Sequence, residues 1–356
     1  MREALAGKRV VVCAGAGGVG KTTTSAAIAL GLAADGARVA VVTIDPAKRL
    51  ANALGLRALE NEPRRVDARR LRGHGLEIQG ELWAMTLDPK RTFDDLIARL
   101  APDEETRRDI LANRIYQQLS GAVAGSQEYT AMAKLYELDR DGGFDVIVLD
   151  TPPSRNALDF LDAPERLTKF LEGRALRALL APTGIAAKIV GAGTSVVLGG
   201  LKRVTGVELL EDLSTFFRAL GGLLAGFRER AAGVRALLAD PATAFVIVAS
   251  PEHEPVEEAI FFGARLRDAK LPFGALIVNR VHAPVAGAVP DGLDPALAAK
   301  VAESSAEVDA LAHRDATEIA RLQQRLGTDA AVLIPHLSGD VHDVDGLIAI
   351  HAHLFD

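Results

Sequence analysis

Gly15-Ala16-Gly17-Gly18-Val19-Gly20-Lys21-Thr22-Thr23 decides the reading of this chain. It follows the apolar run Arg9 to Ala14 and opens into Thr24 to Ala34, a stretch of alanines and leucines with helical character. The pattern G-x-x-x-x-G-K-[ST] in a strand-loop-helix context predicts a phosphate-binding loop. Gly15, Gly17, Gly18 and Gly20 let the backbone, including that of Val19 and Thr23, turn N–H groups onto an anion. Lys21 supplies a positive charge for the β and γ phosphates, and Thr22 a hydroxyl for magnesium. The run Val10 to Ala14, preceded by Arg2 and Lys8, is only about strand length. Because it leads straight into the loop, it reads as the first strand and not as a secretory leader.

Outward from the loop, short apolar runs rich in β-branched residues alternate with longer helical patterns. They are Arg38 to Ile44, Leu82 to Leu87, Phe144 to Leu149, Ala244 to Ala249, Phe273 to Val278 and Ala331 to Ile334. Near-continuous apolarity, without alternation, is what parallel strands covered on both faces require. The expected fold is therefore α/β, a doubly wound and mostly parallel sheet. The whole chain, 1–356, reads as one domain of this kind. Pro89 to Arg140 and Arg155 to Leu238 carry helical spacing, so a helical subdomain is expected over about 89–140 and 155–238.

Two acidic residues fall where a phosphate site needs them. Asp45 closes the second strand in Thr43-Ile44-Asp45-Pro46-Ala47-Lys48, at the strand end where ligands bind in open α/β sheets. Asp150 follows the fourth in Asp150-Thr151-Pro152-Pro153-Ser154, as expected of a Walker-B magnesium residue. Either aspartate in isolation fits a helix cap equally well; beside the loop, the metal and phosphate reading prevails.

Composition sets the outer bounds. The 356 residues carry 41 Lys plus Arg against 47 Asp plus Glu, a net charge of -6 that disfavours a nucleic-acid partner. With 49% hydrophobic residues and 25% charged ones, the chain has the makings of a core. One cysteine excludes an intramolecular disulfide and a cysteine metal cluster within one chain, which suits a cytoplasmic location. Cys13 itself reads as a core residue. Among eight histidines only His351 and His353 are close, and on a helix they would face different ways.

The glycine-rich loop, the Asp-Pro-Ala and Asp-Thr-Pro-Pro segments, Ala249-Ser250-Pro251-Glu252 and Val278-Asn279-Arg280 together resemble the arsenical pump (ArsA-like) ATPase family. That family includes the tail-anchored-protein targeting ATPases and is related to the ParA, MinD and nitrogenase iron-protein ATPases. The likeness spans nearly the whole chain and is greatest to actinobacterial, anion-transporting ATPase-like members. It implies a dimeric switch using ATP and Mg2+. Asp45 then orients or deprotonates the attacking water and belongs to the metal environment with Thr22 and Asp150, the last acting through water. Asn279 would bond the adenine edge and Pro335, after the last strand, would line the base; a strand-end turn residue is the alternative for Asn279. Arg280 is followed by Val281 and His282, without the acid of a guanine-reading N-K-x-D motif, so ATP is favoured over GTP.

One departure bears on activity. Ala16 stands where the family's loop carries a signature lysine that reaches the partner's phosphates in the closed dimer. By analogy with an arginine finger, such a charge is worth roughly 10³ to 10⁵ in rate. Three resolutions stand: a heterodimer with a lysine-bearing paralogue, a charge in cis from Lys48 or Arg155, or a chain that binds ATP as a slow or inactive switch.

The client is not legible. Ala178 to Leu201 holds a single charge, Lys188, but Pro182 and five glycines disfavour a continuous spanning helix. The readings are a surface for a hydrophobic client, buried packing or a dimer contact, with membrane contact at most peripheral. Only Met1, Met85 and Met132 are present, which counts against a methionine-rich client groove. Arg57 to Arg72 holds six arginines and reads as a solvated connection, with docking of an acidic partner as the alternative.

Overall fold

Val10–Ala14 forms the first strand, β1, buried along its whole length. In this computed structural model the described residues are 1–45, 48–114, 116–117, 127–151, 222–285, 292–337, 339, 341 and 343–355. The Ala178 to Leu201 stretch, Arg155, Pro46-Ala47 and Pro152-Pro153-Ser154 therefore lie outside them.

Seven further strands share the sheet with β1: β2 (Arg38–Thr43), β3 (Arg64–Arg65), β4 (Glu81–Thr86), β5 (Val146–Asp150), β6 (Thr243–Ala249), β7 (Phe273–Val281) and β8 (Val332–Pro335). Their order is β3-β4-β2-β5-β1-β6-β7-β8. Every pairing is parallel except β3 on β4, so the expected doubly wound, mostly parallel sheet is what forms. β5 and β6 are buried along their whole length like β1, and β2 is buried beyond its exposed first residue, Arg38, because helices cover both faces.

Three differences from the sequence reading have local causes. β3 consists of two exposed arginines that pair with Trp83 and Ala84 through the backbone, with Arg65 also 2.9 Å from the Glu81 carboxylate of β4. β7 runs three residues past Val278, through a break in register before Val281, with Arg280 in the left-handed region at φ 62. Pro335 is the last residue of β8, opposite Val281, and does not follow the strand.

The helices among the described residues are α1 (Arg2–Leu5), α2 (Lys21–Ala34), α3 (Arg49–Ala53), α4 (Ala68–Gly73), α5 (Pro89–Leu100), α6 (Glu104–Ala112), α7 (Gln127–Asp141), α8 (Leu224–Ala239), α9 (His253–Asp268), α10 (Pro295–Leu326) and α11 (Val344–Phe355). α2 is apolar nearly all round, with Ala26 to Leu30 fully buried, as a helix enclosed between the sheet and α11 must be. Asp294 caps α10 through the Ala296 and Leu297 amides, and Gly327 ends it in the left-handed conformation.

The chain separates into two compact units, residues 1–87, 138–158 and 238–356 in one, 88–137 and 159–237 in the other. The first holds the sheet. In the second, Phe93 stacks on Tyr116 and Phe227 with ring centroids 6.3 and 6.1 Å apart. Buried Lys134 pairs there with Glu137 at 2.8 Å, and Glu137 also accepts from Arg99 at 2.7 Å, so neither charge is left alone.

Candidate nucleotide site

All the parallel strands end on one edge of the sheet, and the central pair, β1 and β5, bring the loop and Asp150 together there. Asp150 lies opposite Cys13 in one register and opposite Thr43 in the other. The loop crosses close over β6: a Cβ on Gly15 would stand 1.9 Å from the Val248 carbonyl oxygen, so no side chain fits. Gly20 precedes α2 at φ 95 with no side-chain cap. The amides of the first turn of α2 are consequently available to an anion, with the positive end of the helix dipole behind them.

Lys21 is buried, and its Nζ donates to the Ala16 carbonyl at 2.6 Å. Burial pulls its pKa below the ordinary lysine value, against the opposing attraction of Asp150. Ala16 is itself buried and packs into the core beside Val19.

The hydroxyls of Thr22 and Thr43 both donate to Asp150 Oδ2, at 2.7 and 2.8 Å. Asp150 Oδ1 is buried without a hydrogen-bond partner among the described residues. Burial raises the Asp150 pKa to about 6, although both hydroxyls lower it. A buried carboxylate with one idle oxygen beside a threonine hydroxyl is an electrostatic deficit that a divalent cation satisfies, so these residues fit magnesium.

Asp45 lies two residues beyond β2, its backbone N–H donating to Thr43 Oγ1 at 3.2 Å. Its carboxylate stands 3.6 Å from the Arg49 guanidinium. Arg49 was not singled out in the sequence; its spacing of four from Asp45 was the available signal. Lys48 is exposed at the N-cap of α3.

A cleft of about 930 Å³ joins these groups to the ends of β7 and β8. Lys21, Thr22 and Asp45 line one part, and Asn279, Pro335 and His336 another. Asn279 is buried; its Nδ2 donates to the Val19 carbonyl at 2.9 Å, and its Oδ1 accepts from the Arg280 amide at 3.0 Å. His282 and His336 also line the cleft and had no signal in the sequence.

Elsewhere, Cys13 is buried in β1 with its thiol pKa pushed up to about 12 by burial, which makes it inert. His351 is buried and stacks on Phe355. No group of three or more potential ligands for a metal ion occurs among the described residues. No helix among them is long and apolar enough to cross a membrane.

A mostly parallel sheet with a glycine-rich loop between its central strand and a buried helix defines a P-loop nucleotide-binding fold. The sequence profile of the Anion-transporting ATPase family matches residues 8–286, and the chain belongs to that family. Among similar proteins, ATPase GET3 of Phaeosphaeria nodorum is 27% identical over 281 residues, 78% of this chain and 77% of that protein. ATPase get3 of Aspergillus terreus is 32% identical over 164 residues, 46% of this chain and 45% of its own length. ATPase GET3 of Malassezia globosa is 32% identical over 163 residues, 45% and 44% of the two chains. The matched part thus spans less than half of the Aspergillus and Malassezia proteins.

Proposed function

We propose that this chain is an ATP-binding and ATP-hydrolysing switch, working as a dimer in the cytoplasm for a client that neither the fold nor the site identifies. The observation that carries the reading is the convergence of Thr22 and Thr43 on one oxygen of Asp150, whose other oxygen is buried and idle, beside the buried Lys21. Family membership supports the same reading. The chain acts as one ATPase domain with a helical subdomain over about 89–140 and 155–238.

The amides of Gly15 to Thr23 and the Lys21 ammonium hold the phosphates and oppose the charge that develops on the transferred group. Thr22 and Asp150 would hold magnesium, with Asp45 as a further acidic residue of the metal environment; the ion would supply neutralisation of phosphate charge. Asp45 orients the attacking water and takes its proton, while Arg49 keeps the carboxylate in place at 3.6 Å. Asn279 and Pro335 close the base end of the cleft.

Ala16 supports a second reading, a regulatory subunit that pairs with a lysine-bearing paralogue and turns over little alone. Its methyl group is buried in the core, so this loop position offers no charge to a partner's phosphates. Lys48 is exposed at the N-cap of α3 and is the described candidate for a charge in cis.

Calorimetric titration with ATP and magnesium tests the binding reading. Saturable binding that disappears in Lys21→Ala is expected. Undiminished binding in that variant, or none in the intact chain, contradicts it.

A further inference from the structure

One buried hydroxyl joins the two acidic strand ends of the site. Thr43 is the last residue of β2 and only 1% exposed. Its Oγ1 donates to Asp150 Oδ2 at 2.8 Å and accepts from the Asp45 backbone N–H at 3.2 Å. A hydroxyl carries a single hydrogen and two lone pairs, so it serves both partners at once. Giving the hydrogen to a carboxylate polarises the oxygen and makes it a better acceptor for the amide.

The hydroxyl stands on a fixed base. Thr43 pairs with Thr86 of β4 on one side and Asp150 of β5 on the other, and its carbonyl accepts from the Leu87 amide at 2.9 Å. Asp45 lies two residues past the end of β2 and so outside that ladder. Valine would fill the same space and suits a buried strand equally, as Val41 and Val42 do beside it. What threonine adds is the hydroxyl. Thr22, the other donor to Asp150 Oδ2, lines the cleft and can meet a ligand directly. Thr43 is buried, so it acts through Asp45 and Asp150.

We propose that Thr43 is a positioning residue for hydrolysis: its hydroxyl ties the main chain of Asp45 to Asp150 and so fixes the spacing between the carboxylate that directs water and the carboxylate of the metal environment. The proposal rests on the hydrolytic reading above and deepens it. Phosphate binding falls to the loop amides and Lys21, so losing the Thr43 hydroxyl should spare binding and slow the chemical step. Misplacing a group in such a site by about 1 Å costs on the order of 100-fold in rate.

The test compares Thr43→Val, which keeps the shape and removes the hydroxyl, with Thr43→Ser, which keeps the hydroxyl. Thr43→Val should lower kcat about 30- to 100-fold and leave the calorimetric Kd for ATP with magnesium within about threefold, while Thr43→Ser should hold kcat within about threefold of the intact chain. In the nucleotide-free chain, the Asp45 amide should exchange its hydrogen at least about fivefold faster in Thr43→Val than in Thr43→Ser. An unchanged kcat in Thr43→Val, an equal loss in both variants, a loss carried in Kd, or equal amide exchange overturns the proposal while Lys21-dependent ATP binding stands. ATP binding that survives Lys21→Ala overturns the nucleotide reading instead. If the intact chain turns over too slowly to time, calorimetry with ADP, magnesium and aluminium fluoride, which mimics the transferred group, replaces kcat. Thr43→Val should then weaken that complex about tenfold and spare ADP alone; equal effects on the two contradict the proposal. Should Thr43→Val not fold, the Asp45 amide of the unaltered chain decides. Exchange well below the rate of a free amide is expected, and the rate of a free amide overturns the proposal.

Discussion

The side-chain amide of Asn279 donates to the main-chain carbonyl of Val19 at 2.9 Å, joining the end of β7 to the phosphate loop across 260 residues of sequence. Both partners are buried, so the bond cannot be replaced by bulk water without opening the loop. Asn279→Ala should therefore cost about 1–3 kcal/mol in stability and weaken ATP binding roughly tenfold. As a brace, Asn279 affects all purine nucleotides alike. A loss confined to ATP, with inosine triphosphate unaffected, would give Asn279 the base-reading role instead.

Gly15→Ala should be among the most damaging changes of its size. The new methyl group would meet the Val248 carbonyl at 1.9 Å, and that oxygen belongs to the central strand β6, which has no freedom to retreat. A loss of about 3 kcal/mol is expected from overpacking, read as a fall in the midpoint of thermal or urea unfolding. A midpoint within a degree of the unaltered chain would show that the loop relaxes away from β6.

Asp150→Asn should separate stability from function. The carboxylate is buried with one oxygen unpartnered, an unfavourable state that an amide relieves in charge. Without divalent cation the variant should unfold at the same temperature as the original or a higher one. Magnesium-dependent ATP turnover should fall at least a hundredfold, given a metal position that stabilises transferred charge. Retained magnesium dependence would remove Asp150 from the metal environment.

Ala16→Lys tests the missing charge. Because the Ala16 methyl is packed in the core, a lysine must turn outward from the loop, at a modest cost in stability of about 1–3 kcal/mol. If the signature charge is what a homodimer lacks, hydrolysis should accelerate by at least tenfold, within the range a trans cation supplies. An unchanged rate with unchanged dimerisation, followed by sedimentation, would show that another group supplies the charge.

The phosphate loop was legible because its demands are local. A strand, four glycines, a lysine and a threonine must follow one another in the chain, and the backbone reaches the phosphates only through such residues. The apolar strands were legible for a similar reason, since burial on both faces confines polar residues to the strand ends, Arg38 and Thr43 in β2, Asp150 in β5 and Thr243 in β6. β3 was not, because two exposed arginines pair with β4 through main-chain groups that any residue carries. The extension of β7 past Val278 was hidden by Asn279 and Arg280, polar residues at a register break. His282 and Asp315 are 33 residues apart, and only the docking of α10 brings the carboxylate under the ring. Asp45 and Asp150 were placed at strand ends by pattern. The sharing of Asp150 by Thr22 and Thr43 depends on the register of β2 and β5, which nothing in the local sequence specifies.

Steady-state ATP hydrolysis by the purified chain with magnesium, set beside Lys21→Ala, tests the central claim most directly. Measurable turnover, dependent on magnesium and lost in the variant, is the predicted result. Turnover that survives Lys21→Ala, or a chain that neither binds nor hydrolyses ATP, would contradict it.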